Sequence, residues 1–379
     1  MSVRFFLFLI LTSLHFGIHA QTQSYQMNAS QWEINTQTMS FEQFEGQDIL
    51  LIKGEGEAFL KDVNFATGII EFDFYPTEPN FSGLYFRRDA SKTKDANFYS
   101  EFMYLRAFKM DDPIAFGGIQ YAPITRGTNL WDILHQYEAN ALIKSAQWNK
   151  VKMVISQKQM KCYLNDKLVL WIPELLGKNS SGGISVEGPG RYTNMKITPN
   201  AIEDLPQTPG ADIDKHDPRY LNHWQYSEEI TLPMTQSMAT ATPPDSTTTW
   251  KSISATRFGL INLTEAISSP FMDKTRRMVW LRTTVESSMD QMKGLDIGFS
   301  DDIYLFVNGN LVYVDRNVYG QAIAKTPNGR LHLDNAEVRL PLQSGQNEIL
   351  IGIANNFFGW GLVTRLEDMK GISGKLMPE

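Results

Sequence analysis

The stretch from Gly68 to Pro123 carries four short runs: GIIEFDFYP (Gly68 to Pro76), GLYFRR (Gly83 to Arg88), EFMYLR (Glu101 to Arg106) and GGIQYAP (Gly117 to Pro123). Within each run apolar and polar residues alternate, which is the period of a strand with one buried face. Ile70, Phe72 and Phe74 then share one side, with Glu71, Asp73 and Tyr75 on the other. The same parity turns Leu84, Phe86, Met103 and Leu105 inward and sets Tyr85, Arg87, Tyr104 and Arg106 together on the opposite face. Such a row is a platform for a glycan, because ring planes pack against the apolar faces of pyranoses and forked polar groups read hydroxyls.

The β rhythm extends outward from this stretch. DILLIK (Asp48 to Lys53) and EAFLKDVNF (Glu57 to Phe65) precede it, and WNKVKMVIS, QMKCYLND and KLVLWI follow before GGISVEG and RYTNMKI close the unit near Pro199. Asn165-Asp166 is a hairpin turn between two alternating runs, since both residue types tolerate positive φ. Residues 200–219 are rich in proline and charge, lack an apolar period, and are expected to be a linker. Beyond them lie further strand-like runs, with Asn308-Gly309 between IYLFV and NLVYV as the strongest short-range hairpin signal. No long amphipathic helix interrupts them. The expected fold is all-β: two β-sandwich (jelly-roll) domains in tandem, residues 21–199 and 220–379, after a cleaved signal peptide. A chain starting near Lys215 is expected to fold alone, on a core of its own strands.

At 379 residues and 42% hydrophobic content the chain can bury two ordinary cores. The formal net charge is -7, without blocks of like charge, which argues against a nucleic-acid partner. Residues 1–20 combine Arg4, the apolar run FFLFLILTSL and small residues before Gln21, the pattern of an export signal. The run is too short to span a bilayer comfortably, so a secreted or periplasmic protein with no membrane span is expected. The polar run from Gln21 to Gln31 reads as a loose leader. A single cysteine, Cys162, precludes an intramolecular disulfide and reads as a small strand residue.

Those runs also carry a resemblance. GIIEFDFYP, GLYFR, EFMYLR, WNKVKMVI, CYLNDKLVLWIPEL and the closing GGISV and YTNMKI resemble the concanavalin A-like lectin and glucanase superfamily, in its laminin-G-like bacterial branch, over roughly Gln31 to Pro199. SDDIYLFVNGNLVY (Ser300 to Tyr313), VRLPLQSGQNEILIGIANN (Val338 to Asn356) and WGLVTRL (Trp360 to Leu366) look like a galactose-binding-like β-sandwich of the kind appended to bacterial glycoside hydrolases. The resemblance implies a carbohydrate-related role and specifies fold better than activity.

Glycoside hydrolysis needs two carboxyls flanking a sugar. Glu71 and Asp73 share a strand face, as do the catalytic residues of the glucanases that the first unit resembles. The acid/base position of that pattern falls here on Tyr75 or Pro76, which leaves Glu101 as the nearby substitute. Four histidines, His135, His216, His223 and His332, lie beyond the signal without metal-ligand spacing. No cofactor is expected; calcium is left open, because its oxygen ligands come from loops without fixed spacing, and Asp111-Asp112 and Asp301-Asp302 are acidic loop pairs.

The carbohydrate-binding candidates are therefore Tyr85, Arg87, Tyr104, Arg106, Gln120, Trp131 and His135, with Trp131 and His135 on the long excursion from Thr125 to Ala146. Asn355, Asn356, Trp360 and Arg365 are candidates on the second unit. The preferred reading is a noncatalytic binder of polysaccharide or surface glycan. The alternatives are a glycoside hydrolase or lyase with its site on the first sandwich, and an adhesion module that recognises protein.

Overall fold

The computed structural model describes residues 21–112, 114, 117–234, 242–269 and 274–373; the expected export signal, residues 1–20, lies outside the described residues. The chain is all-β, in antiparallel sheets. Between Gln23 and Pro199 a seven-stranded sheet faces an eight-stranded one. The seven-stranded sheet runs in the order Glu138–Ala139, Ile119–Tyr121, Glu101–Arg106, Phe81–Arg88, Gly182–Glu187, Glu57–Phe65, Trp32–Glu33. Gly68–Tyr75 is central in the opposing sheet, between Asn149–Ile155 and Gly190–Pro199. The chain therefore changes sheets after Tyr75. Ile70, Phe72 and Phe74 meet Leu84, Phe86, Met103 and Leu105 in one buried cluster, as the alternation requires.

That crossing separates groups that parity alone would put together. Glu71 and Asp73 lie on the outer side of the eight-stranded sheet, where Asn194 donates to Asp73 at 2.7 Å, and so belong to the opposite sheet from Tyr85 and Tyr104. The segment from Gln21 is not wholly loose either, since Gln23–Tyr25 pairs with Gly190–Pro199. Asn165 and Asp166 have φ of 52° and 63° in a two-residue turn between Leu164 and Lys167, and Asn308 and Gly309 have φ of 50° and 76° between Val307 and Asn310. Both are the hairpins expected of those residue pairs. Cys162 is wholly buried, and burial pushes its thiol up to about 12.

Residues 223–373 form a second pair of sheets. Six strands lie in the order Trp250–Ser254, His223–Ser227, Arg276–Ser287, Gly345–Asn355, Asp301–Val307, Asn310–Asn317, with two short strands added on Arg276–Ser287. Four lie opposite: Ile261–Asn262, Gly361–Leu366, Gln291–Phe299, Ala336–Leu342. Val279, Leu281, Ile297, Phe299, Ile351 and Trp360 fill the space between.

The two sandwiches share an interface. Tyr220, Leu260, Leu331 and Val363 belong to the same apolar cluster as the first sandwich. The Leu331 amide donates to the Asp132 carbonyl at 3.0 Å, and the Tyr137 and Phe258 rings meet edge to face at 5.3 Å. Residues 200–219 are held to the first sandwich: the Gly210 amide donates to the Pro173 carbonyl and Ser156 Oγ to the Pro206 carbonyl. A chain cut near Lys215 would expose Tyr220, Leu260, Leu331 and Val363, which the sequence alone gives no reason to expect.

Candidate functional site

A cleft of about 870 Å³ opens between the outer face of the seven-stranded sheet and loops of the second sandwich. Its floor is built by register. Tyr85 pairs with Phe102 and Gly83 with Tyr104 across the central strands, so Tyr85, Phe102 and Tyr104 stand in a line. Their rings are nearly parallel, with centroids 4.0 Å and 5.2 Å apart. Only 3% of Tyr85 and 4% of Tyr104 is exposed, so the cleft meets the rims of these rings rather than their planes. Gly83 makes the arrangement fit: a Cβ there would lie 2.4 Å from the Met103 carbonyl oxygen and 2.6 Å from Tyr104 Cβ. Gly83→Ala is expected to cost about 1–3 kcal/mol by overpacking and to displace Tyr104, measurable as a lower denaturation midpoint together with altered tyrosine circular dichroism in the near ultraviolet.

Ring planes available for stacking lie around this floor. Phe81 is 49% exposed and Phe108 53% exposed on one side, with ring centroids 4.9 Å apart. From the second sandwich, Tyr319 is 37% exposed and lies parallel to Phe357 at 5.8 Å. Trp131 joins the two sets, edge to face with Tyr319 at 4.8 Å and with Phe358 at 5.6 Å.

The cleft is charged at both ends. At one, Lys94 Nζ donates to Tyr85 Oη at 2.7 Å and to Glu187 at 2.8 Å, and lies 3.4 Å from Glu57, which also pairs with Arg88. At the other, Arg106 lies 2.7 Å from Glu138, and Arg330 of the second sandwich reaches the same carboxylate oxygen. Burial opposes ionisation of Glu138, but hydrogen bonds from Arg330 and Arg106 outweigh it and hold the carboxyl below its ordinary range. Arg106 also donates to Tyr104 Oη at 3.0 Å. Burial pushes the Tyr104 phenol up to about 12, so it stays protonated at neutral pH.

Of the seven residues expected from sequence, Tyr85, Tyr104, Arg106 and Trp131 line the cleft. Gln120 lies fully buried beneath, where its carbonyl accepts from Tyr104 Oη at 2.6 Å and from Arg106, and its amide donates to the Trp131 carbonyl. It supports the site without reaching the cleft. His135 packs against His332 of the second sandwich, with centroids 4.5 Å apart, outside the cleft wall. Burial, then the neighbouring His332, push its imidazole down to about 4.

Arg87 corrects the parity reading. Its φ is +48° and the register with Gly182–Glu187 slips there, the mark of a β-bulge, which inserts one residue and reverses the direction of those that follow. Arg88 therefore takes the cleft side, against Glu57, while Arg87 turns into the sandwich. There it donates to the carbonyls of Ala66, Gln157 and Ser156 and lies 3.7 Å from Glu101. Glu101 is likewise inside the core, hydrogen-bonded by Tyr121 Oη at 2.5 Å, and cannot stand in as a carboxyl facing a sugar on this cleft.

On the second sandwich, Trp360 is core, Arg365 pairs with Asp296 at 2.8 Å, and the Asn355 amide closes its own loop onto the Gly359 carbonyl. Asp301 and Asp302 are buried rather than exposed: Asp302 is bracketed by Arg276 and Arg316, and Asp301 accepts from the Asn356 and Phe357 amides. Among the described residues no group of three or more His, Cys, Asp or Glu side chains is placed to hold a metal ion. Nor is any described helix long and apolar enough to cross a membrane. Phe81 and Phe102 are missed residues with a local signal, since Phe81 shares the parity of Tyr85 at the start of the same strand and Phe102 that of Tyr104. Lys94, Tyr319, Arg330, Phe357 and Phe358 sit on loops that no periodicity reads.

Residues 26–198 match the protein family described as 3-keto-alpha-glucoside-1,2-lyase-like domain. Among curated proteins, none matches this sequence. Solved structures similar to part of the chain include the carbohydrate-binding module CBM66 from Bacillus subtilis, at 15% identity and a TM-score of 0.33, covering 44% of this chain and 94% of that one. Another is a Bacillus subtilis protein of unknown function with a galectin-like fold, at 12% identity and a TM-score of 0.33, covering 47% and 98%. The Bacillus licheniformis beta-glucanase is similar at 10% identity and a TM-score of 0.32, covering 47% and 92%. The family match lies within the first sandwich and, like the resemblance carried by its strands, is to a carbohydrate-active group.

Proposed function

We propose that this is an exported protein that binds a carbohydrate, noncatalytically, in the cleft between its two sandwiches. The observation that carries the reading is the cleft itself: about 870 Å³, rimmed by the exposed rings of Phe81, Phe108 and Tyr319, with fixed hydrogen-bond donors at both ends. Concave sites of this size with stacking planes and a few oriented polar groups suit a saccharide of a few residues. The family matched by residues 26–198 supports a sugar as the ligand. Binding without chemistry is favoured by the state of the carboxylates: among the described wall residues these are Glu55 and Glu187, and Glu187 is already paired with Lys94.

The family match favours a second reading, elimination across C1 and C2 of a 3-keto glucoside. In that reaction a base takes the C2 proton, which the neighbouring carbonyl acidifies. The C1–O bond then breaks, the leaving oxygen taking a proton from the protonated base or from water to depart as the alcohol, and a C1=C2 double bond remains. The guanidinium charges of Arg106 and Arg330 are placed to stabilise charge developing on the ketone oxygen, and Glu187 or Glu55 is the available base.

Affinity electrophoresis and calorimetry against a panel of polysaccharides test the binding reading. At least one is expected to be retained, with about tenfold weaker binding by a Phe81→Ala/Phe108→Ala variant whose melting is unchanged, because both rings are exposed. Retention of nothing would overturn it. Appearance of the ultraviolet absorbance of an unsaturated ketone on incubation with a 3-keto glucoside would instead establish the elimination.

A further inference from the structure

We propose that the glycan held in this cleft is acidic, a uronate whose carboxylate is taken by Arg330 beside the charge of Arg106; this rests on the cleft being a carbohydrate site. The charges around the cleft are not evenly divided. At the Lys94 end, Lys94 and Arg88 are matched by Glu57 and Glu187, and Glu55 adds a further negative group to the wall. At the other end two guanidinium groups share the single carboxylate of Glu138, so one positive charge is left over.

Placement makes that surplus available to a ligand. Arg106 and Arg330 both line the cleft, whereas the Glu138 side chain is 95% buried and lies outside its wall. The remaining ionisable neighbours do not supply a second counter-charge from the cleft side. His135 and His332 carry no negative charge in either protonation state, and Asp132 is buried with both oxygens accepting from the Gly359 amide. Among the described residues the Arg330 side chain donates to Glu138 alone, through Nη1, which leaves Nη2 without a protein partner.

The terminal N–H groups of Arg106 are taken by the Gly117 carbonyl, Glu138, Tyr104 Oη and Gln120, whereas Arg330 donates among the described residues only from Nη1 to Glu138. The Arg330 fork is therefore the one open to a carboxylate's two oxygens, with the charge of Arg106 beside it, and a uronate gains charge-assisted bonds that a neutral hexose does not offer. Partial exclusion of water from the cleft strengthens the attraction. The polarity also sets direction. Arg106 Cζ lies 5.3 Å from the Tyr104 ring centre and Arg330 Cζ 5.4 Å from that of Trp131, so the acidic residue sits at the Trp131 end, with the chain running toward Lys94. Because one arginine comes from each sandwich, neither sandwich alone completes this end.

The full-length mature protein would be titrated with polygalacturonate, alginate and glucuronoxylan, each beside its carboxyl-reduced, neutral form, and with neutral glucans. At least one polyuronate is expected to bind tenfold or more tightly than its reduced form, with affinity falling as sodium chloride rises from about 50 to 500 mM. Arg330→Gln is expected to bring that ratio close to one, and Arg330→Lys to retain part of it, so a structural loss common to both variants is recognisable. Equal or tighter binding of the reduced forms, or retention of neutral glucans alone, overturns the acidic ligand and leaves the carbohydrate reading standing. Retention of no polysaccharide of either kind overturns both.

Discussion

Arg87→Ala is expected to destabilise the protein by about 3–5 kcal/mol and to leave the affinity of the folded molecule for sugar unchanged. The guanidinium is 98% buried and satisfies three backbone carbonyls, those of Ala66, Ser156 and Gln157. Removing it strands those acceptors and leaves the Glu101 carboxyl without its cationic neighbour in the core. Burial already holds the Glu101 carboxyl above its ordinary range against the opposing effects of Tyr121 and Arg87, so loss of Arg87 would push it higher still. Urea denaturation gives the stability and calorimetry on folded protein the affinity. An Arg87→Met/Glu101→Leu double variant is expected to recover part of the loss, because an apolar pair of similar volume removes both buried charges together. Lost affinity at unchanged stability is the opposite pattern, the one a cleft-facing arginine would give.

Arg87 also marks where side-chain parity stops being readable. Alternation assigned the buried side of every run from Gly68 to Arg106 correctly, because burying Ile70, Phe86 or Met103 leaves no choice of face. A bulge adds one residue without altering composition, and an arginine at positive φ announces nothing, so Arg87 and Arg88 exchange sides unseen. Nor does alternation say which sheet a strand joins. Gly68–Tyr75 and Phe81–Arg88 are consecutive and similar in pattern, yet the exposed turn between them carries the chain from one sheet to the other, which removes Glu71 and Asp73 from the face that bears Tyr85.

The aromatic floor was legible in its two tyrosines, with Phe102 passed over between them, and not as a geometry. Period two predicts that Tyr85, Phe102 and Tyr104 share a face, but not that their planes turn toward one another and present rims to the cleft. The opposite wall was not legible at all. Tyr319, Arg330, Phe357 and Phe358 reach the cleft because the sandwiches dock through Tyr220, Leu260, Leu331 and Val363, a long-range contact to which no local pattern corresponds.

The loop that carries Phe357 and Phe358 leads to the second large effect. Asp301 Oδ2 accepts from the Asn356 and Phe357 amides at 2.7 Å and 3.1 Å, and Asp132, from the first sandwich, accepts from the Gly359 amide at 3.0 Å. Both carboxyls are buried. Desolvation raises Asp301 to about 7 against the two amide hydrogen bonds, with the charge of Asp302 adding to the rise and Arg276 opposing it. Asp132 is raised well above its ordinary value by the same burial and, secondarily, by Asp301. In the unfolded chain an aspartate titrates near ~3.9, so between about pH 4 and 7 the unfolded state binds fewer protons than the folded one at this site. The contribution of Asp301 is fully present below about pH 4 and is lost as pH rises to 7, by about 4 kcal/mol in all. Other carboxyls, such as Glu138, are held below their ordinary range and work in the opposite direction, so the total pH profile does not isolate Asp301. The difference between wild type and Asp301→Asn does, since an amide cannot ionise and its oxygen can still accept from the loop amides. Measured by urea denaturation, the wild type is expected to lose roughly 2–3 kcal/mol relative to the variant between pH 5 and 7.5. A difference that stays level over that range would mean that the loop holding Phe357 and Phe358 is pinned by an ionised carboxylate.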